Sequence, residues 1–155
     1  MNDFYKKGIT ALEIIIVLGV VGVLLALILP NFSKIREDQV VKSAASDILS
    51  AISKARSQTL ASVESSEYGV RFESDRVIIF KGKVYSSGAP DNEIISIYSP
   101  ASISNVTLGG VSGNSGDMYF NRLYGVPSLT GTITISTSSI SKTITISATG
   151  ITSIN

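Results

Sequence analysis

The sequence predicts an α+β fold: a long N-terminal α-helix, membrane-spanning in its first half and amphipathic in its second, packed on an antiparallel β-rich C-terminal domain. Three observations predict it. Residues 9–29 form an apolar run in which Glu13 is the only charge. Residues 32–63 carry apolar side chains at three- and four-residue spacing, the period of one helix face. From Tyr68 onward the period shortens to two, the signature of half-buried strands. The same changes of period divide the chain into residues 1–8, 9–30, 31–65 and 66–155.

At about 1.5 Å of rise per residue the apolar run is roughly 32 Å long as a helix, close to the hydrocarbon thickness of a lipid bilayer. It is too long for a cleaved secretory signal, and residues 30–34 offer no small-x-small cleavage site. Lys6 and Lys7 precede the run with only Asp3 against them, while Lys34, Arg36, Glu37 and Asp38 cancel beyond it. The positive-inside rule therefore places the N-terminus in the cytoplasm and the C-terminal domain outside, as a single-pass membrane protein. Gly22 and Ala26 stand in a small-xxx-small relation that permits close helix approach. Pro30 withdraws an N–H, which makes residues 22–30 the weak part of the helix.

A carboxylate costs about 2.5–3.5 kcal/mol at the centre of a membrane helix and less near an end. Glu13 must therefore either snorkel toward the headgroups or find a partner.

In the amphipathic half, Ile35, Ala44, Ala45, Ile48, Ile52, Ala55, Leu60 and Val63 mark the apolar stripe, expected to lie on a sheet. Tyr68–Phe72 and Arg76–Phe80 flank Glu73-Ser74-Asp75 and read as a hairpin. Further strands are expected at residues 83–85, 93–99 and 102–108, with turn-rich loops at 86–92 and 109–116. Residues 126–155 hold fifteen Ser or Thr and one charge, Lys142. There, residues 132–136 and 143–147 alternate Ile with Ser or Thr. They predict a second hairpin with one packed face and one wet face.

Composition narrows function. The 155 residues suffice for one modest core beyond the apolar run. Thirteen Lys and Arg against twelve Asp and Glu leave a net charge of +1, which argues against a surface built for nucleic acid. Neither cysteine nor histidine is present, so disulfides, thiolate chemistry, imidazole acid–base catalysis and the common zinc sites are excluded. The scattered acidic residues form no catalytic dyad by spacing, and neither an enzymatic activity nor a cofactor or metal is expected. A glycine-rich loop at 109–116 lacks the lysine signature of a phosphate site.

Lys6-Lys7-Gly8, followed by Ile9-Thr10-Ala11-Leu12-Glu13, a long apolar helix and Pro30, resembles the class III leader of type IV pilins and type II secretion pseudopilins. Ile9 stands where phenylalanine is usual, and Ala11-Leu12 where Leu-Ile is common; both keep the segment apolar. The resemblance implies that residues 1–8 are a leader, that a prepilin peptidase cuts between Gly8 and Ile9, and that the new amine of Ile9 is methylated. It makes Glu13 the fifth mature residue and an assembly group. A glutamate near a freed α-amine can pair between neighbouring helices and set their register. The resemblance also implies local melting of the helix between Gly22 and Pro30 in assembled fibres.

Stretches at 52–62, 68–70, 118–126 and 144–151 resemble the GspH/FimT-like minor pseudopilins. The function so implied is that of a structural subunit of a pilus or pseudopilus. Its expected partners are the peptidase, other pilin or pseudopilin subunits, an inner-membrane assembly platform and the lipid bilayer. The alternative is a minor tip subunit acting as a binding module for DNA or a surface. Its loops would offer Tyr98, Tyr119, Arg122 and Tyr124, residues otherwise expected in core or strand packing.

Overall fold

A computed structural model describes residues 9–155, the side chains of residues 29–33 excepted. The chain divides into two units, Met1–Arg36 and Glu37–Asn155. Helix α1 is Ala11–Leu60, and nine strands follow among the described residues: β1 (Tyr68–Glu73), β2 (Arg76–Lys81), β3 (Glu93–Ser96), β4 (Ser102–Leu108), β5 (Val111–Gly113), β6 (Gly116–Tyr119), β7 (Gly131–Ser136), β8 (Ser141–Ile146) and β9 (Thr152–Ile154). The fold is α+β, as the change of period predicts.

Thr10 opens α1. Its hydroxyl oxygen accepts the Glu13 backbone N–H at 3.2 Å and its carbonyl accepts the Ile14 N–H at 3.2 Å, satisfying donors that a helix start leaves unpaired. The helix assignment runs without a break through Gly22 and Pro30. Pro30 has no N–H to give the Ala26 carbonyl, so the ladder lacks one bond there.

In the second unit α1 buries Val41, Ala44, Ala45, Ile48, Ala51, Ile52 and Ala55. The alanines let the helix backbone approach the sheets closely. The stripe ends at Thr59, earlier than its spacing predicts: Leu60 and Val63 are 48% and 38% exposed. Leu60 is the last residue of α1, and beyond it the register is broken by positive φ at Ser62, which caps a short 3-10 turn, Val63–Ser65, and at Glu64 and Ser65 within that turn. Ile35, also placed on the stripe by spacing, is exposed and belongs to the first unit.

Thr59 is the one buried polar residue among the described residues, and it joins α1 to the first strand. Its hydroxyl donates to the Ala55 carbonyl at 2.9 Å and accepts the Tyr68 N–H at 2.9 Å. Thr59→Val keeps the shape and orphans that N–H. The expected loss is about 1–3 kcal/mol by chemical denaturation, with Thr59→Ser recovering most of it; equal stability of the valine variant would contradict this role.

The strands form two antiparallel sheets, β3-β2-β1-β6 and β5-β4-β7-β8-β9. Val70, Phe72, Val77 and Ile79 from the first meet Ile103, Val106, Ile133, Ile135, Ile144 and Ile146 from the second, with the α1 stripe completing one core. Both predicted hairpins are present. Glu73 pairs with Arg76 across a two-residue turn, and Ile133 pairs with Ile144. The isoleucines of β7 and β8 point into the core. Thr107, Thr132, Thr145 and Ser153 form one hydroxyl row across the other face, with Asn105, Thr134 and Thr143 in the next.

Three local expectations are corrected. Residues 83–85 form no strand: Gly82, at φ +100, turns the chain so that Tyr85 folds over the outer face of the first sheet, its ring 5.6 Å from that of Phe80. Residues 109–116 are not a loop throughout. Gly109 and Gly110, both at positive φ, make the tight turn between β4 and β5, where Leu108 pairs with Val111. The strand predicted over 93–99 stops at Ser96.

Gly131 marks a position where this sheet leaves no room for a side chain. It opens β7 opposite Leu108, and a Cβ there would overlap the Thr107 carbonyl oxygen.

Candidate functional site

The apolar segment is the first candidate. Over Ala11–Ile28 its mean hydropathy is 3.0 and none of it is buried, so one helix is long and apolar enough to cross a membrane. Ile9, at the implied cut, is 74% exposed. Gly8 lies outside the described residues. Gly19 leaves a shallow groove between Ile16, Val20, Val23 and Leu24, and nothing lies within 4 Å of the position a Cβ would take at Gly22.

Glu13 sits in the first turn of α1, where the helix dipole favours an anion. Its carboxylate makes no hydrogen bond or ion pair with the other described residues; only its backbone is engaged, by Thr10. Thr10-x-x-Glu13 is also the spacing of a capping box, a local signal that identifies where the helix begins. Only the bond from the Glu13 backbone to Thr10 is made.

The second unit presents a different surface. Its cations are largely paired: Arg71 with Asp117 at 2.9 Å and Glu73 at 3.3 Å, Arg76 with Asp75 at 2.9 Å, Lys54 with Glu93 at 2.7 Å, and Lys81 with Glu64. Arg76 holds the Asp75 carboxyl below the usual carboxylate range, and Glu64 raises Lys81. No group of three or more acidic side chains among the described residues is placed to hold a metal ion.

Of the four residues expected in packing, Tyr119 alone is half-buried within a strand, where the Lys83 ammonium lies 5.7 Å from its ring. Tyr98 and Tyr124 are 78% and 74% exposed, which overturns that expectation for both. Tyr124 is held out by the turn it occupies. Gly125 takes φ +60 with Leu60 packed beneath it, and Arg56 donates from Nε to the Gly125 carbonyl at 2.8 Å and from Nη2 to the Thr149 carbonyl at 3.1 Å. Arg122 donates to the Ser65 carbonyl at 2.7 Å. Sequence periodicity carries no trace of this brace, because its partners are distant in the chain.

Glu37, the first residue of the second unit, accepts from the hydroxyls of Thr137 at 2.8 Å and Ser138 at 3.3 Å, at the tip of the β7–β8 hairpin. The Thr137 bond is the main reason its carboxyl titrates below the ordinary value; partial desolvation opposes it, and Ser139 and Ser138 assist. A depressed carboxyl contributes stability above its unfolded value of about 4.5 and loses it as pH falls through the folded value. Amide exchange at residues 137–140 should therefore accelerate below about pH 4.5 more in the native chain than in Glu37→Gln. Identical acid profiles would exclude the contact.

No family model, curated protein or solved structure matches this chain.

Proposed function

We propose that the chain is a structural subunit of a type IV pilus or a type II secretion pseudopilus. In this reading it is anchored in the inner membrane with its N-terminus cytoplasmic and is cut by prepilin peptidase between Gly8 and Ile9. Assembly then proceeds through its N-terminal helix. The observation that carries the reading is the uncovered apolar segment of α1 with a single carboxylate, Glu13, in its first turn.

An apolar surface of this extent needs a lipid bilayer or neighbouring helices around it. A carboxylate within it favours an arrangement that supplies a cation, and the freed amine of a processed neighbour is such a group. The remainder of α1 lies in the core of a β-rich unit, which would tie the assembling segment to a folded head.

The test is the mature N-terminus. Intact-mass measurement of the membrane-extracted chain should show residues 1–8 removed and Ile9 methylated, and Gly8→Ala should retain the full-length mass. A wild-type chain that keeps residues 1–8 in a cell with an active prepilin peptidase would overturn the reading.

A further inference from the structure

We propose that the loop at residues 121–126 of one copy docks into a cleft beside β6 of a second copy, making a head-to-tail contact between folded heads. The loop presents Leu123 and Tyr124, 84% and 74% exposed, side by side. It is rigidly held. The Gly125 N–H donates to the Asn121 carbonyl at 2.8 Å and the Asn121 N–H to the Val126 carbonyl at 3.0 Å, in addition to the bonds from Arg56 and Arg122. A pre-organised aliphatic and aromatic pair loses little entropy on binding, and such side chains act as interface anchors. Arg122 spends one donor on Ser65, and its guanidinium has others.

The receiving cleft is about 290 Å³, just below the range of drug-sized ligand sites and suited to inserted side chains. Val106, Leu108, Val111, Gly116, Asp117 and Leu129 line it. Its floor depends on a missing side chain: a Cβ at Gly116 would stand 3.0 Å from Val106 Cγ1 and 3.1 Å from Leu108 Cδ1. Val111 and Leu129, on the walls, are 75% and 41% exposed. One carboxylate oxygen of Asp117 takes Arg71 at 2.9 Å, and its second oxygen has no partner among the described residues. Apolar loop thus meets apolar cleft, and the Arg122 cation meets the Asp117 anion.

Loop and cleft cannot satisfy each other within one molecule. They lie at opposite ends of β6, and the segment that returns along it is fixed by mutual bonds between Tyr119 and Ser128 at 3.0 and 2.8 Å. Two different patches that fit each other make a heterologous contact, which propagates into an open line, a helix or a ring and does not stop at a symmetric dimer. That is the connectivity a filament requires, and the proposal rests on the filament reading for its setting.

The chain has no cysteine, so introduced thiols report the contact without background. In full-length chains expressed in their membrane, Tyr124→Cys with Val111→Cys in one chain should oxidise to a ladder of dimers, trimers and longer products. Chains carrying one substitution each should give only the mixed dimer. Adding Leu123→Asp should lower the crosslinked fraction more than about tenfold, as loss of an anchor does.

Mixed dimers no more frequent than Tyr124→Cys self-dimers, or thiols captured by a different protein, would overturn the contact. Filaments of the cysteine-free chain are scored in the same cells. Filaments without the 111–124 crosslink refute this contact and leave the filament reading standing; the crosslink without filaments does the reverse.

Discussion

Glu13→Ala is expected to leave membrane insertion intact and to remove the chain from filaments. Insertion is unharmed because an alanine in an apolar helix costs less than a carboxylate. In the proposed filament, assembly would fail because a neighbour's buried amine would lose its counter-charge, a loss of about 3–5 kcal/mol when one partner of a buried pair is removed. At about 1.4 kcal/mol per decade, incorporation should fall by at least about a hundredfold.

The cap offers no competing explanation, since the bond to Thr10 is made by the Glu13 backbone, which alanine retains, and the lost dipole interaction is worth only about 0.3–1 kcal/mol. Sheared filaments and membranes from cells expressing both forms can be compared by quantitative mass spectrometry. Equal incorporation of mutant and wild type would remove the assembly role from Glu13.

The second large effect is expected at Gly131. β7 is central in its sheet, paired to β4 on one side and β8 on the other, so it cannot move away from the Thr107 carbonyl without opening a ladder. Gly131→Ala should therefore cost about 3 kcal/mol, the upper range for overpacking. It should lower Tm by roughly 10 °C. Gly88, where a Cβ meets nothing within 4 Å, supplies the control: Gly88→Ala should leave Tm within about 2 °C. A Gly131→Ala chain as stable as that control would show that the two strands separate more easily than their pairing implies.

What the sequence makes legible follows the reach of each signal. The apolar run, the α1 stripe and the β1–β2 and β7–β8 hairpins are local patterns of period or turn chemistry, and each can be read from a short window. β4 coincides with its predicted bounds, Ser102–Leu108, because alternation and a Gly-Gly turn delimit it. β6 and β9 are short, and Gly116-Asp117-Met118-Tyr119 has too little alternation to announce a strand; pairing with β1 makes it one.

Tyr85 illustrates the same limit. Its neighbours suggest a strand, but edge contact with the Phe80 ring and the Arg71 guanidinium, 5.1 Å from the Tyr85 ring, hold it across the sheet instead. In the apolar segment, Ile9 and Glu13 are readable as a motif. The exposed Leu123-Tyr124 pair is not, because the turn that presents it is held by Arg56, far along the chain.

The uncharged rows of Thr, Ser and Asn across β4, β7, β8 and β9 have a consequence for the medium the head meets. Ion pairs such as Lys54–Glu93 weaken as the Debye length shrinks from about 10 Å at 0.1 M salt to about 3 Å at 1 M. Hydroxyl hydration does not depend on that screening. The wet face of the second sheet therefore keeps its affinity for water across fresh and saline surroundings, while exposed ion pairs such as Lys54–Glu93 loosen as salt rises.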